Sequence, residues 1–184
     1  EPSTFAPGAY TYTVNGTPPC ANSVATLQVS ETTAPNAGLP AVYATCSNAA
    51  PFDMLGKLGG TPAPNGTWTG PGNTPHTSTF NPQLDLSGVY TYKVTGVFPC
   101  VDKTSSLTIT VSPAPYAGAD ASTTVCSNGA GFQLFSLLAA SGAQTGGSWF
   151  DPVNASYPSG FYQPGTSVAG VYTYRVTGLA PCGM

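Results

Sequence analysis

Gly88-Val-Tyr-Thr-Tyr-Lys-Val-Thr-Gly96 separates by parity: Tyr90, Tyr92 and Val94 fall on one face of an extended strand, and Thr91, Lys93 and Thr95 on the other. One face suits a core and the other suits water, which is the pattern of a half-buried strand in an antiparallel sheet. The phrase returns as Gly170-Val-Tyr-Thr-Tyr-Arg-Val-Thr-Gly178, with Tyr172 and Tyr174 on the apolar face, and as Gly8-Ala-Tyr-Thr-Tyr-Thr-Val-Asn-Gly16. The chain is therefore a tandem array.

The period follows by subtraction. Tyr10 to Tyr90, Cys20 to Cys100, Cys46 to Cys126 and Phe52 to Phe132 are each 80 residues, Trp68 to Trp149 is 81, and Tyr90 to Tyr172 and Cys100 to Cys182 are 82. A unit of roughly 80 residues exceeds the solenoid repeats, which need neighbours to bury a core, and matches a small self-sufficient domain. Each copy is expected to fold alone. Residues 1–36 hold the end of one copy, 37–116 a complete copy, and 117–184 a copy without its last strand, so the sequence reads as a piece of a longer protein.

Charged residues make up 6% of the chain, against about a quarter in an ordinary soluble domain. Four Lys and Arg in total supply no basic patch, which argues against nucleic acid and anionic membrane surfaces as partners. The 41% hydrophobic content is too high for a polar disordered linker, and no run approaches the roughly 18 apolar residues of a membrane span. The opening stretch, residues 1–8, lacks the charged and apolar regions of a signal peptide, which places any export signal outside this segment.

Five cysteines recur in two contexts, Cys-Ser-Asn (Cys46, Cys126) and Pro-Cys (Cys20, Cys100, Cys182). Pairing inside each copy gives Cys46 with Cys100 and Cys126 with Cys182, leaving Cys20 unpaired. Closing such loops, 54 and 56 residues long, is expected to stabilise each domain by about 4 kcal/mol in the chain-entropy treatment. A metal site is the competing reading, but no Cys-x-x-Cys occurs and the single His76 has no counterpart in the other copy. Disulfides imply an oxidising compartment outside the cytoplasm.

Along the complete copy, a Pro-rich connector (Thr33-Ala-Pro, and Ser112-Pro-Ala-Pro in the next copy) leads to Asn36-Ala-Gly38. In Phe52-x-Met54-x-Gly56-x-Leu58, and in Phe132-x-Leu134-x-Ser136-x-Leu138, the apolar or small residues keep one parity, which predicts a strand; a helix over residues 132–140 is the alternative. Each copy then carries one Trp, Trp68 in Gly66-Thr-Trp68-Thr-Gly70 and Trp149 in Gly147-Ser-Trp149-Phe-Asp151. These could be platforms for a sugar ring, but their fixed register favours a Trp packed across a core. The last strand, Leu107-x-Ile109-x-Val111, alternates as well, and returns as Ala25-x-Leu27-x-Val29. The fold predicted is all-β: tandem immunoglobulin-like antiparallel β-sandwiches with one disulfide each, in which Tyr90 and Tyr172 are candidates for a tyrosine corner. The second cysteine of antibody domains is replaced by Tyr92 and Tyr174, so the bridge is expected near one end of the sandwich.

Asn-Ala-Gly, Cys-Ser-Asn, Gly-x-Trp, Gly-x-Tyr-Thr-Tyr-x-Val-x-Gly, Pro-Cys and Leu-Thr-Ile-Thr-Val together resemble the tandem immunoglobulin-like repeats of giant cell-surface proteins in Bacteroidota. The resemblance covers essentially the whole chain. It implies export by the type IX secretion system, as for adhesins associated with gliding motility, although the carboxy-terminal sorting domain of such proteins is not in this segment.

Catalytic constellations are absent from the repeat: one His, cysteines assigned to bridges, and seven scattered carboxylates form no triad, paired-acid or phosphate-cradling pattern. Asp120, Asp102 and Asp53 offer too few oxygen ligands for a convincing calcium site. No enzyme activity and no cofactor are expected. The function expected is an adhesive and structural one: an extracellular, cell-surface stalk or filament of stapled beads that holds a binding region away from the cell. Its partners are neighbouring repeats, surface polysaccharide or other surface proteins. The alternatives are a glycan-binding accessory module of a secreted enzyme and a strand-exchanging filament subunit. Three sequons, at Asn15, Asn65 and Asn154, would carry glycans only in a eukaryotic host.

Overall fold

The computed structural model describes residues 6–183; residues 1–5 and Met184, at the outer ends of the first and third copies, lie outside the described residues. The fold is built of β-strands with almost no helix. Strands β1 (Gly8–Val14) and β2 (Ser23–Val29) form an antiparallel hairpin, the tail of the first copy. Among the described residues its apolar side is open: Tyr12, Val14 and Leu27 are 71%, 51% and 65% exposed.

The middle copy holds the main core. It runs β3 (Ala41–Cys46), β4 (Phe52–Asp53), β5 (Thr67–Thr69), β6 (Pro75–His76), β7 (Thr79–Phe80), β8 (Gly88–Val94) and β9 (Lys103–Ser112). Five of these form one sheet in the order β3-β9-β8-β5-β6, while β4 and β7 pair separately. Parity works as the sequence requires: Tyr90, Tyr92 and Val94 are buried beside Leu107 and Ile109, and Ala37, Met54, Leu58, Trp68 and Phe80 complete the cluster. Trp68 sits 4.9 Å from the Tyr92 ring centroid, so it is a core residue and not a surface platform. Gly66 lies so close to Tyr92 that a Cβ there would overlap the phenol ring, which explains the glycine two residues before each Trp.

Three expectations need correction. The sheet is not wholly antiparallel, because β3, a strand the sequence reading passed over, runs parallel to β9, with Ala41 opposite Leu107 and Cys46 opposite Ser112. Residues 52–58 and 132–138 are not continuous strands. Phe52–Asp53 and β10 (Phe132–Gln133) are two-residue strands, followed by a 3-10 turn at Leu55–Lys57 and by the helix α1 (Phe135–Ala139). Met54 and Leu58 flank the short turn as its two caps, and both are buried there. The third correction concerns the cysteines and follows below.

In the third copy, β10 pairs with β12 (Phe161–Tyr162), and β11 (Ser148–Phe150) pairs with β13 (Thr173–Arg175). Residues 121–126, the counterpart of β3, form no strand and are exposed.

Candidate functional site at the repeat junction

The disulfide joins Cys46 to Cys182, with Cα atoms 5.0 Å apart and a sequence separation of 136. Cys20, Cys100 and Cys126 are free thiols. Pairing inside each copy is therefore overturned, and strand geometry gives the reason. Cys46 ends β3 and lies opposite Ser112, the last residue of β9, whereas Cys100 precedes Lys103, the first residue of β9. At about 3.3 Å per residue the ten-residue β9 holds the two sulfurs about 30 Å apart, far outside disulfide reach.

Cys182 reaches Cys46 by folding back over the connector between copies. Its Sγ lies 3.4 Å from the carbonyl oxygens of Ser112 and of Pro113. Ser47 secures the same junction: its amide donates to the Ser112 carbonyl at 2.9 Å, and its Oγ accepts from the Ala114 amide at 2.9 Å. One copy earlier the geometry recurs, as the Cys100 thiol donates to the carbonyl of Thr32 at 3.4 Å, and Thr32 precedes Ser112 by one 80-residue period. The Pro-Cys turns at Cys100 and Cys182 thus both lean on the connector before them.

The tyrosine hydroxyls behave as a corner in all three copies. Tyr10, Tyr90 and Tyr172 donate to the carbonyls of Ala6, Leu86 and Val168, each four residues upstream, at 2.5, 2.8 and 2.8 Å. Burial, and next the Asp85 charge, push the Tyr90 hydroxyl above its ordinary pKa of 10.0. Burial likewise raises Tyr172, reinforced by Tyr157, Tyr162 and Asp151. The second tyrosine of each phrase has a role the sequence did not reveal. Tyr92 accepts from the Gly66 amide at 2.7 Å and donates to the Ala63 carbonyl, and Tyr174 accepts from Gly147 and donates to Gln144, both at 2.8 Å. Both thereby pin the loop that precedes the Trp strand.

One arrangement resembles catalytic machinery. His76 Nε2 lies 3.3 Å from Asp85 Oδ1, a partnership missed in the sequence, while its Nδ1 contacts the Thr77 carbonyl at 2.8 Å. Asp85 Oδ2 also accepts from the Asn81 amide at 2.6 Å. The third copy fills the same place without either group: Tyr157 meets Ser167 at 3.3 Å, and Ser167 Oγ accepts from the Gln163 amide at 3.0 Å. Stacking is kept too, with His76 5.0 Å from Tyr90 and Tyr157 5.1 Å from Tyr172. In both copies the link ties together the segment between the Trp strand and the tyrosine strand, with different chemistry in each.

Among the described residues no three His, Cys, Asp or Glu side chains cluster to hold a metal ion. Asp102, considered above for calcium, instead binds Lys93 at 2.6 Å and the Gly96 amide at 2.9 Å, and the Lys93 hydrogen bond, followed by that from Gly96, holds its carboxyl below the usual range. No helix among them is long and apolar enough to cross a membrane. No protein-family model matches the chain, and no curated protein is significantly similar to it.

Proposed function

We propose that the chain is a structural spacer of an extracellular, cell-surface protein, a stalk whose immunoglobulin-like beads are linked covalently from each copy to the next and which performs no reaction of its own. The observation that carries this reading is the Cys46–Cys182 bridge, because it joins successive copies and not the two ends of one. A staple placed across a connector restricts how two beads swing about it, which is what a load-bearing or distance-setting array needs and what a single binding module does not. Recurrence of the junction geometry at Cys100 and Thr32 supports the same rule one copy earlier. In an array continued in this register, Cys100 would meet the Cys-Ser-Asn cysteine of the copy before it, and Cys126 the Pro-Cys of the copy after it, through exchange with an oxidising disulfide pool. The three tyrosine corners support an immunoglobulin-like bead. A long bridged repeat array is also consistent with the resemblance to giant Bacteroidota surface proteins, and hence with export by the type IX route.

Small-angle scattering on the oxidised protein and on Cys182→Ser tests the spacer reading. A fixed distance between the second and third copies should give way to a broad distribution when the staple is lost. Identical profiles would end the reading, and a saturable glycan ligand shared by the copies would replace it with the binding-module alternative.

A further inference from the structure

The chain contains three Asn-Gly pairs, Asn15-Gly16, Asn65-Gly66 and Asn128-Gly129. This dipeptide is the one most prone to spontaneous deamidation, because a glycine amide nitrogen, unhindered by a Cβ, can attack the side-chain carbonyl carbon of the asparagine before it. In the middle copy the glycine is not a free choice. A Cβ at Gly66 would stand 2.4 Å from Tyr92 Cζ, and one at Gly147 in the third copy 2.6 Å from Tyr174 Cζ, so the tyrosine ring demands glycine at both places. Of the two copies that contain this loop, only the middle one sets an asparagine before the glycine; the third has Gly146. Asn65 is exposed, yet the nitrogen that would attack it is held. The Gly66 amide donates to the Tyr92 hydroxyl at 2.7 Å, and Tyr92 is 1% exposed. The ring that imposes the labile pair therefore also ties up its nucleophile. The other two glycine amides are donors as well, Gly16 to Asn22 Oδ1 at 3.0 Å and Gly129 to the Cys126 carbonyl at 2.9 Å.

We propose that Asn65 is a modification site that deamidates when the middle copy opens and is protected while it is closed, so that the modification records opening. In the reaction the Gly66 amide loses its proton and its nitrogen bonds to Asn65 Cγ. The bond from Cγ to the side-chain nitrogen breaks, ammonia leaves, and a five-membered imide joins residues 65 and 66. Water then opens the imide at either carbonyl, leaving aspartate or isoaspartate. The net change is one amide and one water exchanged for a carboxylate and ammonium, with no oxidant or enzyme required. In the closed bead the first step is blocked, because the amide that donates to Tyr92 keeps both its proton and its place. Isoaspartate routes the main chain through the side-chain carbons and lengthens it by one methylene. That shift displaces Gly66 from Tyr92 and disturbs the register of β5 on β8, in which Trp68 lies opposite Tyr92. A bead marked in this way cannot restore the Gly66–Tyr92 bond.

The test incubates the oxidised, unglycosylated chain at mildly alkaline pH, folded in buffer and unfolded in urea, and follows Asn65 by mass spectrometry in the tryptic fragment between Lys57 and Lys93. Deamidation at Asn65 should be at least about a hundredfold slower in the folded chain, since the reactive form is the opened one and its population follows the free energy of opening. Tyr92→Phe keeps the ring and removes the acceptor; read in buffer where it retains the parent's tryptophan emission, it should react at least about tenfold faster. Asn22→Ala, on the exposed turn between β1 and β2, frees the Gly16 amide without touching the core, and should accelerate Asn15 while leaving Asn65 unchanged. The isoaspartate form, made in urea and returned to buffer, should lack amide protection at residues 66–69. Equal rates in the folded and unfolded chain, an unchanged rate at Asn65 in Tyr92→Phe or at Asn15 in Asn22→Ala, or full recovery of protection in the isoaspartate form would each overturn the proposal. None of these readouts depends on whether the array acts as a spacer.

Discussion

Pulling the chain from its two ends measures the bridge directly. With Cys46 joined to Cys182, tension passes through the sulfurs, and the 136-residue separation between them cannot be drawn out. Only the 45 residues before Cys46 and the two after Cys182 extend, about 170 Å at 3.6 Å per residue. Reduction, or Cys46→Ser, should release a further length of about 490 Å. Single-molecule force spectroscopy with handles at both termini, run with and without reductant, reads this gain. Pairing inside each copy would hide two shorter loops, 54 and 56 residues, and would release about 400 Å in two events of about 200 Å. That pattern would refute the junction geometry, and an unchanged contour length would show that no bridge forms.

Three further outcomes follow from the packing. Tyr92→Phe leaves the Gly66 amide and the Ala63 carbonyl without partners and should lower stability in denaturant titration by about 2–4 kcal/mol, whereas Tyr12→Phe, at a position 71% exposed, should stay within about 0.5 kcal/mol. Gly66→Ala forces a methyl into the Tyr92 ring and should cost about 1–3 kcal/mol; Gly56→Ala, with open space around it, should be near neutral in the same titration. For pH, Tyr90 has its folded pKa raised above 10.0, so its contribution is fully present below pH 10 and is lost as pH climbs through the folded value; alkaline melting curves should show the loss, and Tyr90→Phe should flatten it.

The repeat made much of this legible. Parity in the tyrosine phrase located the core face, the fixed register of Trp68 and Trp149 pointed inward, and the first tyrosine of the phrase, Tyr90 or Tyr172, was marked as the corner hydroxyl. Subtraction could not decide the cysteine pairing, because Cys100 and Cys182 occupy one register and either can be matched to Cys46. The deciding fact is which end of β9 each sulfur lies beside, and that depends on β3. The strand itself left a faint signal, since Ala41, Tyr43 and Thr45 share a parity and face inward, but its parallel partner is 66 residues away in sequence. For Phe52 to Leu58, a two-residue spacing and a four-residue spacing fit the same letters, and only packing against Phe80 separates them. The Tyr92 links join residues 26 and 29 apart in sequence that no local pattern brings together, and the His76–Asp85 link closes a loop that the repeat comparison passes over because its residues differ in the third copy.

The parallel alignment of β3 with β9 also fixes how the array grows. When the first and last strands of a unit point the same way, the backbone arrives at one extreme of the sheet and departs from the opposite extreme. Each unit therefore adds its length to the total, with a pitch on the order of 30 Å set by a ten-residue strand. Had those strands been antiparallel, the chain would have left beside its point of arrival, and successive units would have piled up sideways without gaining height.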